Sequence, residues 1–203
     1  TDQYALAVLI YEYLLTRHPL DGPKIHTTTS TEEDVHLSMG SKALWSEDPN
    51  DQSNRPKDIK VPYTALGPLL APLFERAFGR GLHSPNNRPS AGEWEKALVK
   101  TWDMLYPCPN SSCTHKWIVA DNAGSLRCPW CGSQVRGLVP MLKLRSERRP
   151  GNWMHDGQLI VRHNMTMFRW HAFDNEFPGE TANRTPQAYC ALHHGKWLLV
   201  NQN

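Results

Sequence analysis

The first apolar run, residues 4–15, is Tyr4-Ala-Leu-Ala-Val-Leu-Ile-Tyr-Glu-Tyr-Leu-Leu15, broken only by Glu12. Its length and freedom from Gly and Pro predict a helix. Being apolar nearly all round, that helix is expected in the middle of a domain with other elements on every side. Thr1-Asp2 marks its start. Arg17-His18-Pro19 ends it, because proline lacks the next backbone donor and biases the residue before it away from helix. A turn at Leu20-Asp21-Gly22 follows. Residues 23–64 are polar and broken, with one short helix predicted from Ser30 or Thr31 to near Gly40, since Glu32, Glu33 and Asp34 would offset the positive end of its dipole. Residues 46–54 read as a solvated loop to which no chemistry is assigned.

Helical spacing returns at Leu66, Leu69, Leu70, Leu73, Phe74, Ala77 and Phe78, predicting a core-facing helix that ends at Gly79 or Gly81 and keeps Pro72 near its start. After a turn at Asn86-Asn87-Arg88-Pro89, Ser90-Ala-Gly-Glu93 forms a capping box, in which serine and glutamate satisfy each other's amides. Trp94, Ala97, Leu98, Thr101, Trp102 and Leu105 make one face of the helix it opens. Beyond Leu138 the period changes to two. Short alternating segments at 141–145, 158–162, 165–171, 187–192 and 196–201 are separated by turn residues at Pro150-Gly151, Asp156-Gly157, His163-Asn164, Pro178-Gly179 and His194-Gly195. This is the pattern of a small antiparallel sandwich or barrel.

Between these regions lie Cys108-Pro-Asn-Ser-Ser-Cys113 and, after fourteen intervening residues, Cys128-Pro-Trp-Cys131-Gly132. Two close pairs at this separation have the spacing of a zinc ribbon, each tight turn aiming two thiolates at one tetrahedral ion. Cys108, Cys113, Cys128 and Cys131 close the shell, so the zinc is expected to be structural, with no position open to substrate. His115 is an alternative ligand, and two disulfides or four free thiols are the alternative chemistry for the cysteines. Residues 116–119 and 125–127 are expected to pair as strands around a turn at 121–124, with the metal supplying most of the folding free energy. The expected fold class is multidomain α+β, with a helical part at 1–105, a four-cysteine zinc ribbon at 106–137 and an all-β part at 138–203.

Composition adds bounds. The 203 residues carry a formal charge of +2 with acids and bases interspersed, so no overall field argues for nucleic acid or a membrane surface. With no long apolar span and no signal-peptide pattern, the expectation is a cytoplasmic protein with reduced thiols. A start at Thr1-Asp2 with no methionine is expected to be the cut end of something longer. His163, His171, His193 and His194, and the pair His171 with Cys190, carry the residue types of a second metal site or a base and nucleophile. Histidines scattered on strands commonly face solvent and Cys190 reads as a small core residue, so no catalytic residue is assigned.

The order of Asp2 opening a buried helix, Tyr11-Glu12, Arg17-His18-Pro19-Leu20-Asp21-Gly22, Arg76-Ala77-Phe78 and Arg88-Pro89-Ser90-Ala91 resembles the second half of the C-terminal lobe of eukaryotic-type protein kinases. The resemblance covers about residues 1–103. It implies two scaffold residues: Asp2, holding the backbone of the catalytic loop, and Arg88, pairing with a glutamate at the end of the activation segment. Without that glutamate, Arg88 is expected to contribute little to the stability of this chain. Kinases cradle ATP with a Gly-rich loop, a strand lysine and Mg²⁺-binding aspartate, and this sequence has no Gly-x-Gly-x-x-Gly, His-Arg-Asp or Asp-Phe-Gly. ATP and Mg²⁺ would therefore belong to an intact parent, whose missing N-terminal half is an expected partner. The succession of lobe, ribbon and β tail resembles the kinase component found with bacterial tellurite-resistance and stress-response systems. The tail is similar to forkhead-associated sandwiches but lacks their Gly-Arg and Ser-x-x-His phosphate-holding pattern, so phosphopeptide binding is not implied. Protein partners or substrates are expected at the ribbon and tail, with a pseudokinase scaffold or a nucleic-acid adaptor as the alternative.

Overall fold

The computed structural model describes residues 2–25, 30–121, 124–173 and 175–202. It divides into two compact units, residues 1–98 and 99–203.

The first unit is helical. Helix α1 (Asp2–Leu15) buries Ala7, Tyr11 and Leu15, one residue per turn along a single stripe. Leu9 and Tyr13 on its other faces are 64% and 85% exposed, so the expected all-round cover is not what the fold provides. Thr1, the expected cap, lies outside the described residues. Helix α2 (Thr31–Ser38) starts where its acidic first turn predicted. The apolar spacing at 66–78 resolves into several pieces: a 3₁₀ turn at Tyr63–Leu66, α3 (Ala71–Phe74), a π-helical stretch Glu75–Arg80 and α4 (Gly81–His83). Pro72 sits in the first turn of α3, where its missing donor costs nothing. The wider winding ends at Gly81, whose N–H bonds the carbonyl of Arg76 five residues back, and a Cβ there would stand 2.7 Å from that oxygen.

Aromatic rings fill this unit. Tyr11 meets Phe74 and Phe78 edge-on at 5.2 and 5.5 Å, and Phe74 lies 4.9 Å from Trp94. Trp94 belongs to α5 (Ala91–Trp102). Each such pair adds about 0.5–1.5 kcal/mol to what its buried area contributes. The predicted capping box is present at the head of α5. Ser90 N–H and Oγ–H reach Glu93 Oε2 at 2.9 and 3.0 Å, and Glu93 N–H points back to Ser90 Oγ at 3.4 Å.

Residues 46–54 depart most from expectation. Rather than a solvated loop, they bury Ser46, Glu47 and Asn54 beside Trp45. The Glu47 carboxylate accepts from Tyr11 Oη, from the Arg17 guanidinium at 2.5 Å and from Tyr63 N–H at 3.2 Å. Burial, then the Glu47 hydrogen bond, pushes the Tyr11 hydroxyl far above its ordinary pKa. Asn54 donates to the carbonyls of Leu20 and Leu44 at 3.1 and 2.9 Å and accepts from Lys24 N–H at 3.1 Å. A Cβ on Gly22 would overlap the Asn54 carbonyl, so that turn requires glycine.

The second unit holds three small antiparallel sheets. Strand β1 (Leu105–Pro107) pairs with β2 (Trp117–Val119). The expected pairing of 116–119 with 125–127 is therefore replaced, and Arg127 instead bridges Gln134. Strands β3 (Met141–Arg149) and β4 (Asn152–Ile160), nine residues each, form a hairpin around Pro150-Gly151. Asp156-Gly157, expected as a turn, lies inside β4 next to a register shift. The third sheet runs β5 (Met165–Met167), β6 (Ala188–His193) and β7 (Lys196–Asn201). The segment 165–171, expected as one strand, turns after Met167 into α6 (Arg169–Ala172), with His171 Nδ1 accepting from Phe168 N–H at 3.1 Å. Leu159, Val161, Met165 and Cys190 form a buried cluster, with Leu144 and Met167 packed on it. Among the described residues no helix is long and apolar enough to cross a membrane.

Candidate metal centre

The loop joining β1 to β2 carries the first cysteine pair. Cys108 N–H donates to the Lys116 carbonyl at 2.7 Å, extending the ladder by one rung past Pro107. Within the loop Asn110 makes the turn, its Oδ1 accepting from Ser112 N–H at 3.0 Å and its carbonyl from Cys113 N–H at 3.0 Å. Lys116 takes a left-handed φ of 58° to bring the chain back into β2. The second pair sits on a tighter turn. Cys128 N–H bonds the Ser133 carbonyl and Gly132 N–H the Cys128 carbonyl, at 2.8 and 2.9 Å, with Gly132 at φ 75° where an L side chain would be strained. Leu126 and Val135 are joined by a 2.8 Å backbone bond at the root of this turn, and both are buried.

The two turns bring all four sulfurs within 4.8 Å of one another. Across the two turns, Cys108 Sγ lies 3.5 Å from Cys131 Sγ and Cys113 Sγ lies 3.9 Å from Cys128 Sγ. All five cysteines are free thiols. Tetrahedral zinc at about 2.3 Å from each sulfur places ligands about 3.8 Å apart, close to the observed separations. The group could hold a metal ion such as zinc. Hydrogen bonds from the Ser133 side chain and backbone hold the Cys131 thiol down to about 6, while loss of water among its neighbours pushes Cys108 up to about 12. Cys113 and Cys128 are buried, Cys108 is half-buried and Cys131 is exposed.

Comparison with known proteins finds no matching family model, curated protein or solved structure. Function must therefore be argued from the residues themselves. His115, the alternative ligand, stacks on Trp130 at 3.6 Å and is absent from the sulfur group. The other histidines form no second metal group among the described residues. His171 Nε2 lies 3.3 Å from Asp103 Oδ1, His163 Nδ1 accepts from Leu192 N–H at 3.2 Å, and His193 packs edge-on to His194 at 4.1 Å. Cys190 is in the apolar cluster, where burial raises its pKa, the opposite of an activated nucleophile.

The two residues expected to be scaffold, Asp2 and Arg88, lie in the first unit. Asp2 is exposed in the first turn of α1. Arg88 has partners of its own: Nε donates to the Gly81 carbonyl at 2.8 Å, a terminal nitrogen to the Leu82 carbonyl at 3.1 Å, and the guanidinium lies 5.1 Å from the Tyr4 ring centroid. The expectation that Arg88 contributes little here is corrected, because it satisfies carbonyls at the end of α4. Glu47 is the polar centre that local sequence pattern missed. Its one outward sign is position, directly after Trp45 and Ser46 in an otherwise hydrophilic run.

Proposed function

We propose that Cys108, Cys113, Cys128 and Cys131 hold a structural zinc ion and that residues 99–203 are a metal-stapled docking module without catalysis of their own. The carrying observation is the convergence of four thiols from two preformed turns at separations suited to one tetrahedral ion. An all-sulfur set favours zinc over oxygen-seeking ions and leaves no coordination position for a substrate. The bound ion would supply a cross-link between the 108–113 and 128–131 loops. Chain purified under reducing conditions is expected to contain about one zinc per molecule by elemental analysis, and Cys113→Ser to lose it. Metal-free chain carrying two disulfides under the same reducing conditions would overturn the assignment.

For residues 1–98 we infer the C-terminal, regulatory part of a Ser/Thr kinase-like protein, with the tail as a small sandwich that docks protein partners or restrains the lobe. Support comes from the motif order from Asp2 to Ala91, and from Arg88 standing beside the end of the helical run that starts at Ala71. ATP and Mg²⁺ enter only through the parent in this reading. Calorimetric titration of the 203-residue chain with ATP and Mg²⁺ is expected to give no saturable heat, and micromolar binding would place a nucleotide site here and overturn it. Intact catalytic and metal-binding aspartates in upstream coding sequence distinguish an active parent from a pseudokinase scaffold.

A further inference from the structure

The whole-chain charge of +2 conceals a division. Residues 99–203 hold twelve Lys and Arg against seven Asp and Glu, whereas residues 1–98 are acidic on balance. Within the basic unit, β3 and β4 form a hairpin whose two faces differ. Leu144 packs on the cluster of Leu159, Val161, Met165 and Cys190, which turns one face inward. Side chains alternate along a strand, so Lys143, Arg145 and Glu147 project from the opposite face. The register places Arg145 beside His155 and Glu147 beside Trp153, successive rungs on the same face with Ser146 and Met154 between them, and Arg149 at the tip.

This outer face is open. Lys143, Arg145, Arg149 and His155 are exposed, and the Trp153 indole is 58% exposed. The two acids of the hairpin have partners within it: Glu147, on the outer face, accepts from Gly151 N–H at 2.6 Å, closing the turn, and Asp156 Oδ1 accepts from Ser146 Oγ–H at 3.1 Å. Lys143, Arg145 and Arg149 have no ion pair among the described residues. A large indole held in water among unpaired cations is costly to leave bare and suits a ligand offering both anionic groups and flat rings.

We propose that the outer face of the β3–β4 hairpin binds single-stranded nucleic acid, Lys143, Arg145 and Arg149 contacting phosphates and Trp153 stacking on a base. The rungs of Arg145 and Trp153 are about 7 Å apart along the strand, so one nucleotide's phosphate and a nearby base can be engaged together. An acidic peptide would use the cations and leave the indole idle. This inference goes beyond the zinc reading and does not depend on it, since the hairpin lies outside both cysteine turns.

The test is fluorescence anisotropy of a labelled oligothymidylate with the zinc-loaded full chain across a salt series. Binding is expected at low salt and to weaken log-linearly as salt rises. Lys143→Glu with Arg145→Glu is expected to weaken it more than tenfold and to reduce the salt slope by about 1.4, about 0.7 per lost contact on a single strand. Trp153→Ala is expected to cost about five- to a hundred-fold while leaving the slope unchanged, and oligothymidylate to quench Trp153 emission in the parent chain. Lys196→Glu, on β7, serves as the charge control and is expected to change affinity less than twofold. Circular dichroism and zinc content establish that each variant is folded. No binding at low salt, an equal loss with Lys196→Glu, or displacement of the oligonucleotide by polyglutamate at lower concentration than by unlabelled oligothymidylate would each overturn the proposal.

Discussion

Glu47 is the most consequential single residue outside the sulfur cluster. Its carboxylate is fully buried and serves Tyr11, Arg17 and Tyr63, joining α1, the turn that follows it and the 3₁₀ segment. Removing one member of such a set leaves charge without its partner in poor solvent. Glu47→Gln is therefore expected to destabilise the first unit by about 3 kcal/mol, read as a lower urea midpoint with unchanged slope. Asn54 works by geometry rather than charge. Asn54→Ala strands two carbonyls and one N–H and is expected to cost about 1–3 kcal/mol in the same assay. Neither residue was legible beforehand, because Asp, Asn, Pro and Ser in residues 46–54 carry the composition of a solvated turn. Their partners lie ten to thirty-six residues away, beyond any local pattern. Arg88 was singled out in the sequence through the kinase resemblance, but its partners, the Gly81 and Leu82 carbonyls, were not. Arg88→Ala is expected to lower stability by about 1–2 kcal/mol through the lost carbonyl contacts at Gly81 and Leu82.

Among elements, those defined by local chemistry were the ones the sequence revealed. The box at Ser90 and Glu93, the first turn of α2, the two-residue turn at His194-Gly195 and the two cysteine turns each depend on neighbours within five residues. His194 and Gly195 take φ 48° and 74°, as a tight hairpin requires. Strand partners were another matter, since the choice of β1 rather than residues 125–127 for β2 is made by packing and not by spacing. The helix broken into α3, a π-helical stretch and α4 was likewise seen only as apolar periodicity, which does not distinguish a winding of four residues from one of five. The cap of α5 yields a pH prediction. Glu93 is held at about 2 by Arg76, then by the Ser90 amide and hydroxyl. A depressed carboxyl stabilises the fold above its ordinary range and loses that contribution as pH falls through about 2. Glu93→Gln is expected to cost a few tenths to about 1 kcal/mol at neutral pH, the pair being largely solvent-screened, and almost nothing below pH 2 in thermal melts.

At the scale of the molecule, two units of comparable size with separate cores are expected to respond differently to metal removal. Chelation should speed amide exchange at Cys113, Cys128 and Gly132, whose hydrogen bonds belong to the turns the ion would brace. Amides of α1 around Tyr11 should keep their protection, resting as they do on aromatic packing in the first unit. Equal loss of protection in both units would show that the ion's contribution is not confined to the ribbon. The opposite charge balance of the units was hidden in a whole-chain total, and it emerged only once the boundary near Leu98 assigned each residue to a side.

The pairing of sulfurs across the two turns also determines what oxidation would do. A metal-free chain in an oxidant would hold Cys108 Sγ 3.5 Å from Cys131 Sγ and Cys113 Sγ 3.9 Å from Cys128 Sγ, close enough for either pair to be oxidised with little movement. Disulfides formed along those approaches would tie the same two loops that the proposed ion would tie, so the oxidised product would keep that cross-link while losing the capacity to bind zinc. Peptide mapping without reductant is expected to recover cross-links that join the 108–113 loop to the 128–131 loop. The cluster would then act as a reporter of redox history, its zinc content falling as its covalent bonds accumulate.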